Sequence, residues 1–173
     1  TSPLPLPPPP LIEVGDTQMP LPIPTALEVG GRSFTVLPTD PGAGVWADPG
    51  DHPDSAIWVY GTVVPYVLGL EATAENQSTI DELEPGRTVV LRLSSGARLT
   101  FRVVRQDTIP PSDTSVFAQS RPGLTLVLLG DGDTGRVAIF TDFDQVEEPA
   151  EQPAGPAVGI GQPVQVGDVQ VTL

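Results

Sequence analysis

From residue 27 onward, apolar and polar residues alternate with the period of two expected of strands that bury one face. Leu27-Glu28-Val29 and Arg32-Ser33-Phe34-Thr35-Val36 flank Gly30-Gly31, and two glycines supply the positive φ values of a tight hairpin turn. Val89, Leu91 and Leu93 alternate with Val90, Arg92 and Ser94. Past a turn at Ser95-Gly96, Leu99, Phe101 and Val103 alternate with Arg98, Thr100 and Arg102, which predicts a second hairpin with one buried face and one wet, arginine-bearing face. Residues 56–65 read as a buried strand, and residues 124–129 and 137–143 as two more, separated by Gly130-Asp131-Gly132-Asp133-Thr134-Gly135. One short helix is expected over residues 78–83, with Ser78 as its N-cap and acids in its first turn. The Pro-, Gly- and Asp-rich residues 38–54 read as a loop.

The two ends follow other patterns. Residues 1–24 contain nine prolines, and Pro7-Pro8-Pro9-Pro10 dictates polyproline II. Residues 1–25 therefore read as an extended arm whose apolar side is made by Leu4, Leu6, Leu11, Ile12, Met19, Leu21 and Ile23. A faint turn phrase, Ile12-Glu13-Val14-Gly15-Asp16, lies within it. Residues 26–145 are expected to form one β domain and residues 146–163 a Pro/Gly/Glu linker. Residues 164–173 are expected to form a closing β-hairpin, with Val164 and Val166 facing Val169, Val171 and Leu173 across Gly167-Asp168.

Composition narrows the classes. A chain of 173 residues holds one core plus arms, and 39% hydrophobic residues argue for folding despite 22 prolines and 18 glycines. No run of 18 apolar residues spans a bilayer and no basic-then-apolar leader opens the chain, so a soluble, extracellular or cell-surface chain with its signal sequence removed is expected. Twenty-two acids stand against eight arginines and no lysine, a net charge of −14. That field repels phosphate backbones and anionic membrane surfaces, so neither nucleic acid nor membrane insertion is expected. The absence of cysteine excludes disulfides, thiolate catalysis and cysteine metal sites. A single Asn, a single Met and no Cys fit a thermophile's avoidance of heat-labile residues, a composition that GC-rich coding also produces.

Candidate chemistry is thin. Asp131-Gly132-Asp133 resembles a fragment of a calcium loop but lacks the closing Glu, so it reads as a turn held by Asx hydrogen bonds. His52, the only histidine, sits among carboxylates and cannot build a zinc site alone. Thr125, Ser94 and Ser95 are hydroxyls without an evident base. No metal or cofactor is expected. Asn76-Gln77-Ser78 fits the glycosylation sequon, making Asn76 a possible acceptor.

The order of elements nevertheless resembles a known family. Ile57-Trp58-Val59-Tyr60-Gly61-Thr62, a short helix ending at Leu83, Leu83-Glu84-Pro85-Gly86-Arg87-Thr88-Val89-Val90-Leu91, the hairpin after it, Thr125-Leu126-Val127-Leu128-Leu129 and then Arg136 are together similar to the sortase β-barrel over residues 55–143. In that family the first strand leads into Gly-His, a Leu-x-x-Gly-Asp phrase enters the middle strand, a late strand ends Thr-Leu-x-Thr-Cys, and an arginine begins the next. The resemblance implies an all-β chain with a minor helix, a closed barrel carrying the proline-rich arm and the C-terminal hairpin. It places Thr62 where the family has its histidine and Leu129 where it has its cysteine; of the catalytic set only Arg136 matches, and it is expected to pair with Asp131 or Asp133. Transpeptidation needs a thiolate to attack and an imidazole to protonate the leaving amine, and neither leucine nor threonine supplies them. The expected function is therefore a non-catalytic structural subunit of an extracellular filament or surface layer. Its arm would pack on a sheet edge or groove of a neighbouring copy, its C-terminal hairpin would close the remaining edge, and its partners would be copies of itself and cell-surface proteins. The alternatives are a catalytically dead peptide-binding module, which requires a pocket that Leu129 leaves open, and a tethered extracellular domain with the arm as spacer.

Overall fold

The computed structural model describes residues 11–14, 17–39, 52–62, 64–113, 115–117, 120–130 and 135–149. At Gly30 and Gly31, φ is 56° and 76°, so both central turn positions take the left-handed conformation that glycine alone adopts freely. This turn joins β3 (Pro24–Val29) to β4 (Arg32–Thr39), with Val29 opposite Arg32. The turn at Ser95-Gly96 likewise joins β7 (Thr88–Leu93) to β8 (Arg98–Ile109), closed by a 2.9 Å bond from the Leu93 N–H to the Ala97 carbonyl. The wet face of this hairpin is neutralised locally: Arg92 and Arg98 both reach Glu28, and Arg102 pairs with Asp144 at 2.8 Å.

The remaining barrel strands are β5 (Ser55–Val59), β6 (Tyr66–Glu71), β9 (Gly123–Leu129) and β10 (Arg136–Glu147), with one helix, α1 (Ala74–Asp81), after β6. Their order around the closed barrel is β10-β8-β7-β3-β4-β5-β6-β9, and β9 pairs with β10 to complete the circle. Only β4–β5 and β6–β9 run parallel. The interior is filled by Leu27, Phe34, Trp58, Leu68, Leu70, Leu91, Phe101, Leu124, Leu126 and Ile139, all fully buried. A second cluster, Ile109, Val116, Val127, Leu129, Ala138 and Phe140, lies on the outer face of β9 and β10 beneath the β8–β9 connection and its 3-10 turn, Ser115–Phe117. β9 is thus covered on both faces, and all seven of its residues are buried.

Several expectations change. The strand expected over residues 56–65 ends at Val59, because Gly61 turns the chain at φ 89°; the following apolar run, residues 66–71, is a strand of its own, β6. The helix begins a turn earlier than expected, with Thr73 and not Ser78 as N-cap: the Thr73 hydroxyl accepts from the Asn76 N–H at 3.1 Å. The arm is not extended throughout, since β1 (Leu11–Val14) and β2 (Thr17–Pro20) form an antiparallel two-stranded sheet around the faint turn phrase. Barrel strands run from Pro24 to Glu147, and Ile23 packs against the core, so the domain limits at 26 and 145 move outward. The barrel also closes without the C-terminal hairpin; residues 164–173, like residues 1–10 and the linker beyond 149, lie outside the described residues.

Candidate functional site

The parallel pairing of β6 with β9 sets Glu71 beside Leu129, and the Ala72 N–H extends the ladder by donating to the Leu129 carbonyl at 2.8 Å. On the other side of β9, Ala138 pairs with Val127, so the same antiparallel register, two residues on, brings Arg136 across from Leu129. Glu71, Leu129 and Arg136 thus end three adjacent strands at one end of the barrel. Leu129 is 7% exposed and lies in the outer apolar cluster with Ile109, Val116 and Phe140. The position bears no nucleophile, and its side chain is packed into that cluster. Among the described residues, one Glu71 carboxylate oxygen (Oε2) and the Arg136 Nε are buried without a hydrogen-bond partner. The expected partners of Arg136, Asp131 and Asp133, lie outside the described residues.

Thr62 is not part of this constellation. It sits in the turn between β5 and β6, where its hydroxyl donates to the Val59 carbonyl at 2.7 Å and accepts from the Val67 N–H at 3.1 Å, while its carbonyl accepts from the Trp58 indole at 2.9 Å. Its bond to Val67 sets it four residues before Glu71 along β6, about 13 Å from the level of Leu129 at the rise of a strand. The end of β6, and not Thr62, stands beside Leu129. The residues that stand there are Glu71, Ala72 and Thr73, and none is a histidine. The structure thus keeps Thr62 apart from Leu129 and Arg136.

Asn76 is no glycosylation acceptor in the folded chain. It is fully buried on α1; its amide donates to the Pro53 carbonyl at 3.1 Å and the Glu71 carbonyl at 2.9 Å, and its Oδ1 accepts from the Arg32 guanidinium at 2.7 Å. Arg32 is itself held by Asp54 at 3.1 Å and Glu75 at 3.7 Å. Asn76 therefore ties β4, the entry to β5, the end of β6 and α1 together. The signal for this was its spacing: the chain's only asparagine falls three residues after a helix-capping threonine.

The other singled-out hydroxyls are structural. Ser94 accepts from the Ile23 N–H at 3.1 Å and returns a backbone bond to the Ile23 carbonyl at 2.8 Å, Ser95 accepts from Ala97, and Thr125 is buried within β9. His52 is exposed. Among the described residues, no group of three or more His, Asp or Glu is placed to hold a metal ion, and no helix is long and apolar enough to cross a membrane. At the opposite end of the barrel, burial raises the pKa of Tyr66 above its ordinary value.

No family model matches the chain, and no curated protein matches it in sequence. Solved structures do match in fold. Sortase A from Listeria monocytogenes superposes with a TM-score of 0.59 at 14% identity, covering 73% of this chain and 90% of that one. A sortase from Actinomyces oris gives 0.58 at 17% identity, covering 87% and 94%. A sortase D5 transpeptidase from Clostridium perfringens gives 0.54 at 12%, covering 69% and 78%. With an all-β, closed eight-stranded barrel and one short helix inserted after β6, the chain has the sortase fold.

Proposed function

We propose that the chain is a non-catalytic structural module of an extracellular or cell-surface assembly, built on the sortase fold. The observation that carries the reading is Leu129: the strand end at which the resemblance puts a nucleophile bears a leucine packed beneath the β8–β9 connection. With no cysteine anywhere in the chain, a transpeptidase mechanism has no thiolate to start from. The same packing weighs against the peptide-binding alternative, because it removes the open floor that a retained groove requires.

Assembly is assigned to the N-terminal region. A closed barrel presents no open sheet edge in its body, so it is a poor acceptor for an added strand. The β1–β2 hairpin is a separate two-stranded sheet, and among the described residues it has no further strand paired to it. Each of its outer edges is open to pairing with the same hairpin of a neighbouring copy. Its partners are thus copies of the chain.

Two measurements test the reading. Incubation with a peptide library, analysed by mass spectrometry without and with added hydroxylamine, should show neither an acyl adduct on the protein nor a peptide hydroxamate; either product refutes the non-catalytic assignment. Light scattering and electron microscopy across protein concentration should show assembly by the full chain and none by a chain lacking residues 11–20. Assembly by the shortened chain, or a full chain that stays monomeric, sinks the assembly part in favour of a tethered domain.

A further inference from the structure

β10 outlasts one of its two neighbours. Its pairing with β9 stops at Asp142, opposite Gly123, whereas its pairing with β8 runs on to Glu147, opposite Arg98. The residues before β9 explain the mismatch. Pro122 has no N–H to carry the ladder further, and its carbonyl takes the last bond, from the Phe143 N–H at 3.2 Å. Ser120 and Arg121 line one cavity with Val104, Phe140 and Asp142, so the chain before Pro122 has turned onto the outer face of β8 and β10 and does not follow β10 to its end. Among the described residues, nothing pairs with that side of β10 from Asp144 to Glu147. A short open edge in strand conformation thus extends past the closed body of the barrel, and the alternate N–H and C=O groups along such an edge are the ones a further strand takes up.

The two faces of this extension differ in chemistry. Toward the barrel interior stand Phe143, 42% exposed and edge-on to Phe101 at 5.9 Å, and Val146, 48% exposed and opposite Leu99. Tyr66, which pairs with Leu124 at the start of β6, is only partly covered as well. The outer face is acidic: residues 142–148 carry four acids and no base. Asp144 is paired with Arg102 and Glu147 with Arg98, while Asp142 and Glu148 are exposed and have no ion pair among the described residues. Arg121, exposed at the junction, and Arg105, held by Asp107, are the other cations near them among the described residues. A segment added to this edge sends alternate side chains to the two faces, so it fits best when apolar residues meet Phe143 and Val146 and cationic residues meet the acids. The chain's own stretch with that alternation, residues 98–103, is the first half of β8 and is paired on both sides. The occupant is therefore sought in another protein.

We propose that the open edge of β10, from Asp144 to Glu147, is a docking site for an extended segment of another protein in which apolar residues alternate with lysine or arginine, added as a further strand. Amide hydrogen exchange and fluorescence anisotropy on the full chain test it, with a capped synthetic peptide of alternating valine and arginine as the probe. In the free chain the amides of residues 144–147 that face away from β8 should exchange fast, and the peptide should slow them. Binding should saturate and weaken as salt rises. A valine–glutamate peptide, and the valine–arginine peptide N-methylated at every residue, should not bind. Asp142→Asn combined with Glu148→Gln, both at exposed positions, should leave the circular dichroism unchanged and lower the affinity by about fivefold. Slow exchange of those amides in the free, dilute chain would show the edge already covered, and protection that grows with the concentration of the chain alone would show a second copy on it. Either result overturns the proposal, as does equal binding of the acidic or N-methylated peptide, or no binding at all. Deleting residues 11–20 should abolish assembly yet keep peptide binding, which separates failure of this site from failure of the assembly reading.

Discussion

Asn76→Ala removes a side chain that bonds to three separate parts of the barrel. It deletes two bonds to carbonyls, at 3.1 and 2.9 Å, and one from a guanidinium, at 2.7 Å. A neutral bond contributes about 1 kcal/mol and one to a charged group about 1.5–3, and partners left buried and unpaired add to the loss, which sums to about 3–5 kcal/mol. For a barrel of this size that corresponds to a melting temperature lower by roughly 10–15 °C. The assay is thermal and urea unfolding followed by near-ultraviolet circular dichroism, with the urea slope checked for constancy. Two controls on the same helix separate the hub from general helix weakening. Thr73→Ala removes the observed N-cap and should cost about 1 kcal/mol, whereas Ser78→Ala, at an exposed mid-helix site, should fall within about 0.5 kcal/mol of the parent. A loss below about 1 kcal/mol for Asn76→Ala, or a larger loss for Ser78→Ala, refutes the reasoning. The same burial predicts that expression in a glycosylating host leaves the mass of the folded protein unchanged by glycosidase treatment.

Three further outcomes follow from the packing. Gly123→Ala would set a Cβ 2.3 Å from the Thr141 carbonyl oxygen across the β9–β10 seam and should cost about 2–3 kcal/mol, against about 1 for Gly61→Ala, where only the positive φ is strained; urea midpoints rank the two. Leu129→Ala should destabilise by about 2–4 kcal/mol, as cavity formation in the outer cluster requires, and a neutral effect would argue for an open groove there. Tyr66 is protonated more tightly in the folded than in the unfolded chain. Its contribution is therefore fully present below the ordinary tyrosine pKa of 10.0 and is lost as pH rises through the raised folded value. Stability should fall from about pH 10 upward, and Tyr66→Phe should flatten that fall in urea titrations run alongside tyrosinate absorbance; an unchanged slope would contradict the burial argument.

The two hairpins were legible because their turns demand particular residues: Gly30-Gly31 and Gly96 announce positive φ, and the flanking residues alternate. β6 was not, for an equally physical reason. Val67, Leu68 and Leu70 are all fully buried, on both faces of the strand, so the run shows no alternation and merges with the preceding residues 56–65. The breaks, Gly61 and Pro65, are single residues in an apolar context. Despite that missed boundary, the order of elements still led to the right fold. Leu129 and Arg136 each lie at the end of a well-marked strand, and the β9–β10 register brings those ends together. Glu71 and the role of Asn76 depend on contacts between elements distant in sequence, which periodicity does not encode.

The parallel seam between β6 and β9 has a consequence in time. Tyr66 pairs with Leu124 and Glu71 with Leu129, so one of the most buried strands waits for a partner 58 residues further along the chain. Barrels held together by such distant pairings fold in milliseconds to seconds, and little of that delay can be shortened by local propensity. During synthesis the apolar run of β6 leaves the ribosome long before anything can cover it. Until residue 142 has emerged and the last seam can zip, a strand that shows no polar face is open to wrong partners.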